Sequence, residues 1–252
     1  MKIMSFNVLC HGKEEHIFEN RIPLVIKRIR EQMPDILGTQ ESHRMWMDNL
    51  QEALPEYAFV GVGRDDGKDE GEFAPVFYRK DKYELENSGY FWLSETPHVP
   101  SKSWNSRCTR ICTWTVLCEK ETGKRFAALN THLDHVSEEA RVNGAKLIAQ
   151  KINSLGCIPV FCTGDFNAYE GSDAYKVMTA DVMADSKYVA KDSDNGNTYT
   201  GFDIEGTKND SPIDFVFVKK DCVNVRSYKI LRELIDGQEP SDHFPVLCEA
   251  EI

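Results

Sequence analysis

The sequence predicts an α/β fold, on two observations. Apolar runs of strand length alternate with stretches whose apolar residues recur at helical spacing, and several of the runs close on Asn, Asp, Glu or His. At 252 residues the chain is long enough to bury a substantial core without staples. No linker, low-complexity tract or short repeat divides it, and its length allows one large domain or two small ones.

Lys2 to Leu9 is apolar apart from Ser5 and Asn7, which reads as a strand buried on both faces with an amide near its end. Between Arg21 and Met33 the residues Ile22, Val25, Ile26, Ile29 and Met33 fall on one helical face, and Pro34 closes the segment. Asp35 to Glu41 is a second strand, ending in a carboxylate, and a second helix is expected from His43 to Leu54, before Pro55. Tyr57 to Val62 and Ala74 to Tyr78 read as strands around a Gly- and Asp-rich loop, Gly63 to Gly71. Asp65, Asp66, Asp69 and Glu70 lack the regular spacing of a calcium loop, so this loop reads as a solvated hairpin tip. Tyr83 to Leu93 and Arg110 to Glu119 are further strands, joined by Ser94 to Arg107. A connection of that length without a pattern of its own is often functional, and this one, with Trp104, is expected to wall the substrate site.

Arg125 to His132 is a strand ending in Asn130-Thr131-His132, with Asp134 and His135 just beyond. Ser137 then offers an N-cap, Glu138 and Glu139 suit the first turn, and Ala140, Gly144, Leu147, Ile148 and Ile152 form the buried stripe of a helix that Gly156 stops. Ile158 to Cys162 leads into Thr163-Gly164-Asp165-Phe166-Asn167, a buried strand delivering two polar side chains to a sheet edge. If the extended conformation continues, Asp165 and Asn167 face the same way, although both residue types are also ordinary turn formers. A helical region from about Asp173 to Val189 and a polar stretch from Lys191 to Ser211 follow. Pro212 to Val218 is a strand with Asp214 inside it, where an unpaired carboxylate would be costly. Cys222 to Leu231 reads as an extended partner, and Ser241-Asp242-His243-Phe244-Pro245 precedes the last strand, Val246 to Ile252.

Lys plus Arg is 30 against 41 for Asp plus Glu, a formal net charge of -11, which disfavours a protein held on nucleic acid by a basic face. A nuclease stays open, because metals supply positive charge locally. The apolar runs stop short of the roughly 20 residues of a membrane helix, and no signal-peptide pattern precedes Ile3. A soluble, cytoplasmic monomer is expected, with a secreted or periplasmic location if a leader has been removed. The eight cysteines lack the paired short spacings of a zinc site. Cys108 and Cys112 on one strand would lie about 13 Å apart, too far for a disulfide, so buried free thiols and a reducing compartment are expected.

Ser5-Phe6-Asn7, Thr39-Gln40-Glu41, Asn130-Thr131-His132, Gly164-Asp165-Phe166-Asn167, Ile213-Asp214-Phe215 and Ser241-Asp242-His243 together resemble the endonuclease/exonuclease/phosphatase superfamily, in family order and across essentially the whole chain. The resemblance implies a single domain over residues 1–252, a four-layered α/β sandwich with two mixed sheets packed face to face and helices outside, and hydrolysis of a phosphodiester or phosphomonoester. It implies Mg²⁺ or Mn²⁺ on Glu41, with Asn7 and Asp242 completing the shell directly or through water, since hard divalent ions prefer oxygen ligands. Asp165 would orient or deprotonate the attacking water and Asn167 would hold water and phosphate. His243 would contact the phosphoryl group with its tautomer fixed by Asp214, and His132 would donate to a phosphate oxygen. Asn130, Arg110, Trp104 and His135 are the expected substrate contacts, with an ion pair at the surface as the competing role for Arg110. Abasic-site enzymes of the family usually carry Tyr where His132 stands, and this chain has no basic, DNA-gripping insertion. Phe91 to Pro97 with Trp104, Arg110 and Trp114 resembles a poorly characterised bacterial and fungal branch. A phosphorylated small molecule, sugar or lipid head group is therefore the leading substrate class. The alternatives are an endo- or exonuclease acting on DNA or RNA, and a non-catalytic binding module on the same fold.

Overall fold

The computed structural model describes residues 1–203 and 210–252, so the polar stretch expected at 191–211 lies partly outside the described residues. In chain order the first half contains β1 (Lys2–Asn7), α1 (Phe18–Gln32), β2 (Ile36–Gln40), α2 (Arg44–Ala53), β3 (Tyr57–Val60), β4 (Val76–Arg79), β5 (Tyr83–Trp92) and β6 (Ile111–Glu119). The second half contains β7 (Arg125–His132), α3 (Glu138–Ser154), β8 (Val160–Asp165), α4 (Asp173–Thr179), β9 (Met183–Asp185), α5 (Ser186–Val189), β10 (Asp192–Ser193), β11 (Asp214–Lys219), β12 (Asn224–Ile230) and β13 (Val246–Glu251).

The strands form two mixed sheets, ordered β10-β12-β13-β1-β2-β4-β3 and β5-β6-β7-β8-β11-β9. Ile3, Ile36, Phe126, Phe161, Val216, Tyr228 and Val246 pack between the two sheets. Met4, Phe6, Val25, Ile29, Trp46 and Leu50 fill the layer under α1 and α2, and Leu129, Ile148, Ile152, Met178, Phe215 and Phe217 fill the layer under α3 and α4. This is the four-layered sandwich. Near the site the sheets approach so closely that a side chain on Gly38 would collide: a Cβ there would lie 2.1 Å from Thr163 Oγ1 and 2.6 Å from Asn130 Oδ1.

Two expectations about local structure need correction. The region read as one helix from Asp173 to Val189 is a helix, a strand and a short helix, because Met183–Asp185 pairs antiparallel with the edge of β11 and buries Met183 and Asp185 on one face. Three residues carry too little period-2 signal to interrupt a helical pattern. All eight cysteines are free, but only Cys112, Cys162 and Cys248 are buried, and Cys157 is exposed. Ser137 caps α3 as its position suggested, accepting from the Ala140 N–H. Among the described residues no helix is long and apolar enough to cross a membrane.

Candidate active site

Strand pairing alone assembles most of the site. β7 and β8 are parallel with His132 opposite Asp165, and β8 and β11 are antiparallel with Asp165 opposite Asp214, so three neighbouring strands end in a row of titratable side chains. On the facing sheet β1 and β2 run parallel with Asn7 opposite Gln40, which brings Asn7 and Glu41 out side by side. The 241–243 segment is tied down between the sheets: Ser241 Oγ donates to the Asn7 carbonyl at 2.7 Å, and Tyr199 bridges to His243. Beneath it the buried guanidinium of Arg21, from α1, donates to the carbonyls of Val8, Leu9 and Pro240. The result is a cavity of about 560 Å³ lined by Glu41, Glu72, Cys108, Arg110, His132, His135, Arg141, Asp165, Asn167, Tyr169, Tyr199, Ile213, Asp242 and His243. A larger groove of about 950 Å³, between α1 and residues 234–239, contains none of the site residues named above.

Asp165 sits at the centre and is nearly inaccessible. Its Oδ1 accepts the Asn167 N–H at 2.9 Å and its Oδ2 accepts Asn7 Nδ2, also at 2.9 Å. The strand does not continue extended, as Asn167 has φ 45. An Asx turn, with Asp165 capping its own backbone two residues on, brings Asn167 back to the site, where its Nδ2 lies 3.0 Å from His132 Nε2 and donates to the Leu133 carbonyl.

Two carboxylate–imidazole pairs flank Asp165 Oδ2. His243 Nδ1 is 2.8 Å from Asp214 Oδ2, and its Nε2 is 3.8 Å from Asp165 Oδ2. Burial by itself would keep this imidazole neutral, but Asp214, followed by Asp165 and Asp242, outweighs it and lifts the pKa of His243 to about 10. Burial raises Asp214 as well. We place the shared proton on the imidazole, since one charged pair surrounded by two further carboxylates is better balanced than a neutral pair. On the other side His132 Nε2 is 3.5 Å from Asp165 Oδ2, and its Nδ1 faces Glu72 Oε2 at 3.5 Å. Burial opposes charge on Glu72, but His132, Arg64 and Arg110 overcome it and hold the carboxyl well below the usual range. With Asn167 donating to Nε2, the His132 proton lies on Nδ1, so donation from Nε2 to a phosphate requires the imidazolium.

The oxygen-rich wall suits a hard divalent cation. Glu41 and Asp242 line the same cavity with no hydrogen bond between them, and burial together with the Glu41 charge raises the pKa of Asp242. Glu41 itself is held in the left-handed region at φ 60, uncommon for a residue of its kind. Asn7 Nδ2 donates to its Oε1 at 3.2 Å and the Cys10 N–H to its Oε2 at 2.9 Å. A cation between Glu41 and Asp242 would relieve the repulsion that burial creates. Asp165, Asp214 and His243 also come within 4.8 Å of one another, but the 2.8 Å contact between Asp214 and His243 is a direct hydrogen bond with no room for an ion. Asn7 Nδ2 bridges two carboxylates while its Oδ1 accepts the Leu9 N–H, so its amide orients Glu41 and Asp165.

Of the four expected substrate contacts, Arg110 and His135 line the cavity, and Asn130 and Trp104 do not. Asn130 is fully buried between the sheets, where its amide donates to the Thr39 and Pro75 carbonyls and accepts from Gln40 and Thr163. Every polar valence is used, so it is a structural cross-link. Trp104 sits in a positive-φ turn whose carbonyl accepts from Ser137. Arg110 is buried, not at the surface, beside Glu72 and Asp134, with Nη2 3.1 Å from His135 Nδ1. The 94–107 connection reaches the site through its end: Ser106 Oγ and the N–H groups of Arg107 and Cys108 all donate to Asp134. Burial opposes the charge on Asp134, but these donors and the Val136 and Ser137 N–H groups pull its pKa well down. The loop read as a solvated tip is anchored as well, because Trp92 Nε1 donates to the Arg64 carbonyl and Arg64 pairs with Glu72. Glu72, Arg64, Arg141, Tyr169 and Tyr199 had escaped the sequence reading. Only Glu72 carried a signal, as an acid immediately before the apolar Phe73-Ala74.

The two sheets thus pack face to face with Asp165 held between the imidazoles of His132 and His243 at their shared edge. Residues 4–243 match the Endonuclease/Exonuclease/phosphatase family, and the chain belongs to it. Its members are phosphoester hydrolases that generally use divalent metal ions. Among solved structures, an endonuclease/exonuclease/phosphatase from Bacteroides vulgatus is 40% identical, covering 100% of this chain and 98% of that one, with a TM-score of 0.94. A mannosyl-6-phosphatase from Bacteroides thetaiotaomicron is 36% identical over the full length of both chains, with a TM-score of 0.92. The uncharacterized protein L388 of Acanthamoeba polyphaga mimivirus is 28% identical over 180 residues, 66% of this chain and 67% of its own. The human nocturnin catalytic domain, 21% identical with a TM-score of 0.78, shares the fold.

Proposed function

We propose that this protein is a divalent-metal-dependent phosphatase acting on a phosphorylated small molecule, with a sugar phosphate as the leading substrate class. The observation that carries the reaction is the convergence of Asn7, Asn167, His132 and His243 on the buried carboxylate of Asp165. Three things favour a sugar phosphate over nucleic acid: full-length similarity to a mannosyl-6-phosphatase, a net charge of -11, and a cavity of about 560 Å³ sized for a small ligand.

In this reading Glu41 and Asp242 hold Mg²⁺ or Mn²⁺, which when bound polarises the phosphoryl oxygen and offsets charge on the leaving oxygen. Asp165 accepts the proton of the attacking water, its Oδ2 aimed by the Asn7 amide and its Oδ1 pinned by the Asn167 N–H. His243, kept cationic by Asp214, donates through Nε2 to a phosphoryl oxygen. His132, balanced by Glu72, does the same from the opposite side once protonated. Asn7, Asp214 and Glu72 act through these groups as positioning residues.

The test is phosphate release from hexose 6-phosphates, inositol phosphates, phospholipid head groups, a chromogenic phosphodiester and single- and double-stranded nucleic acids, with Mg²⁺ and with Asp165→Ala as the blank. Preferential turnover of a hexose 6-phosphate, abolished by EDTA and restored by Mg²⁺ or Mn²⁺, supports the reading. Preferential cleavage of nucleic acid, or activity unaffected by thorough chelation, refutes it.

A further inference from the structure

We propose a second metal site, for a borderline-soft divalent ion of the zinc class, formed by Cys10, His11 and His43 just outside the catalytic cavity. The parallel strands β1 and β2 end side by side. Leu9, at φ 55, turns the chain after β1 so that Cys10 and His11 meet His43, the residue at the N-cap of α2. One ligand atom from each of the three residues lies within 4.8 Å of the other two, and the imidazole centroids are 4.8 Å apart.

The donor set is sulfur and two nitrogens, unlike the all-oxygen pair of Glu41 and Asp242, so the two places select different ions. Neither imidazole makes a hydrogen bond among the described residues, and none of the three side chains lines the catalytic cavity. Tetrahedral zinc places S and N donors ~3.3–3.6 Å apart, so from a spacing within 4.8 Å the three side chains close by at most ~1.5 Å. Exposed His11 can supply much of that by rotation. On binding, the Cys10 S–H breaks, its proton passes to solvent and the S–metal bond forms, with the fourth position left to water and no change of oxidation state. Because the Cys10 N–H holds Glu41 Oε2, an ion here clamps the backbone that orients the catalytic carboxylate.

Cobalt(II) is the probe, since a thiolate ligand gives it a sulfur-to-cobalt charge-transfer band and a tetrahedral shell gives intense visible bands. Titration of the metal-free full chain should give one equivalent with both features. Cys10→Ser should abolish the charge-transfer band, and His43→Gln and His11→Ala should each weaken binding at least ~10-fold. Asp242→Asn, a change on the opposite side of the catalytic cation site, should leave the band intact, which separates this site from the catalytic one. Circular dichroism of the metal-free variants checks folding, and exposed His11 keeps the test decisive if His43→Gln misfolds. Absence of the band, its survival in Cys10→Ser, or its loss in Cys108→Ser instead would overturn the proposal.

Discussion

The two carboxylate–imidazole pairs beside Asp165 do similar jobs with different rigidity. Asp214 and His243 are both buried, 2.8 Å apart, and the carboxylate leaves the imidazole no other strong partner on that side. Glu72 and His132 stand 3.5 Å apart, with Glu72 shared among His132, Arg64 and Arg110. The first pair is fixed by a strand and a strand-flanking turn; the second depends on a loop held by an arginine pair. A carboxylate with one partner sets the charge of its histidine firmly. A carboxylate divided among three partners holds its histidine less tightly in place.

This contrast orders the expected effects. His243→Ala removes the donor of the rigid pair and should lower kcat by at least the ~10²-fold typical of a lost acid or base. Asp214→Asn keeps the shape but presents the wrong polarity to Nδ1, and should also lose on the order of 10²-fold. Glu72→Gln should lose only about 10-fold, because Arg64 and Arg110 remain to shape the site. Steady-state kinetics of the three variants measures the order, and equal losses for Asp214→Asn and Glu72→Gln would erase the distinction. Gly38→Ala should act on stability, by about 1–3 kcal/mol in denaturant melts, since the added methyl meets Thr163 and Asn130 between the sheets.

A smaller effect is expected far from the site. Burial raises the pKa of Asp185 from its ordinary value to about 6, despite its bonds to the Lys187 N–H and Tyr175 hydroxyl. The folded state therefore holds this proton more tightly than the unfolded chain, and stability falls as pH rises from about 4 through about 6. Asp185→Asn keeps a capping oxygen and should gain on the order of 1 kcal/mol over wild type across that window, read as the difference between their melting curves. A constant difference over the same range would contradict the assignment.

The contrast also explains what the sequence could reveal. Asp214 was legible because an acid inside an apolar strand demands a partner, and Asp165, Glu41 and His132 because they end apolar runs of clear period. Glu72 gave only a faint signal, an acid before Phe73-Ala74 at the end of a polar loop with no periodicity, and its place beside Asp165 comes from Arg64 and His132 folding against it. Asn130 shows the opposite error. It shares a face with His132, yet it lies one pleat deeper, where the sheets are still in contact and an amide serves as a cross-link. Asn167 was placed correctly beside Asp165, although by an Asx turn and not by strand periodicity. The layers and strand order follow from elements that were mostly visible. The edge strand β9 was not, because its three residues gain their conformation only by pairing with β11.

The most direct test is the rate of inorganic phosphate release from a hexose 6-phosphate with Mg²⁺, measured side by side for wild type and Asp165→Ala. The account predicts turnover by the wild type and a loss of at least ~10²-fold in the variant, with the fold unchanged by circular dichroism. Comparable phosphate release from both proteins would contradict it.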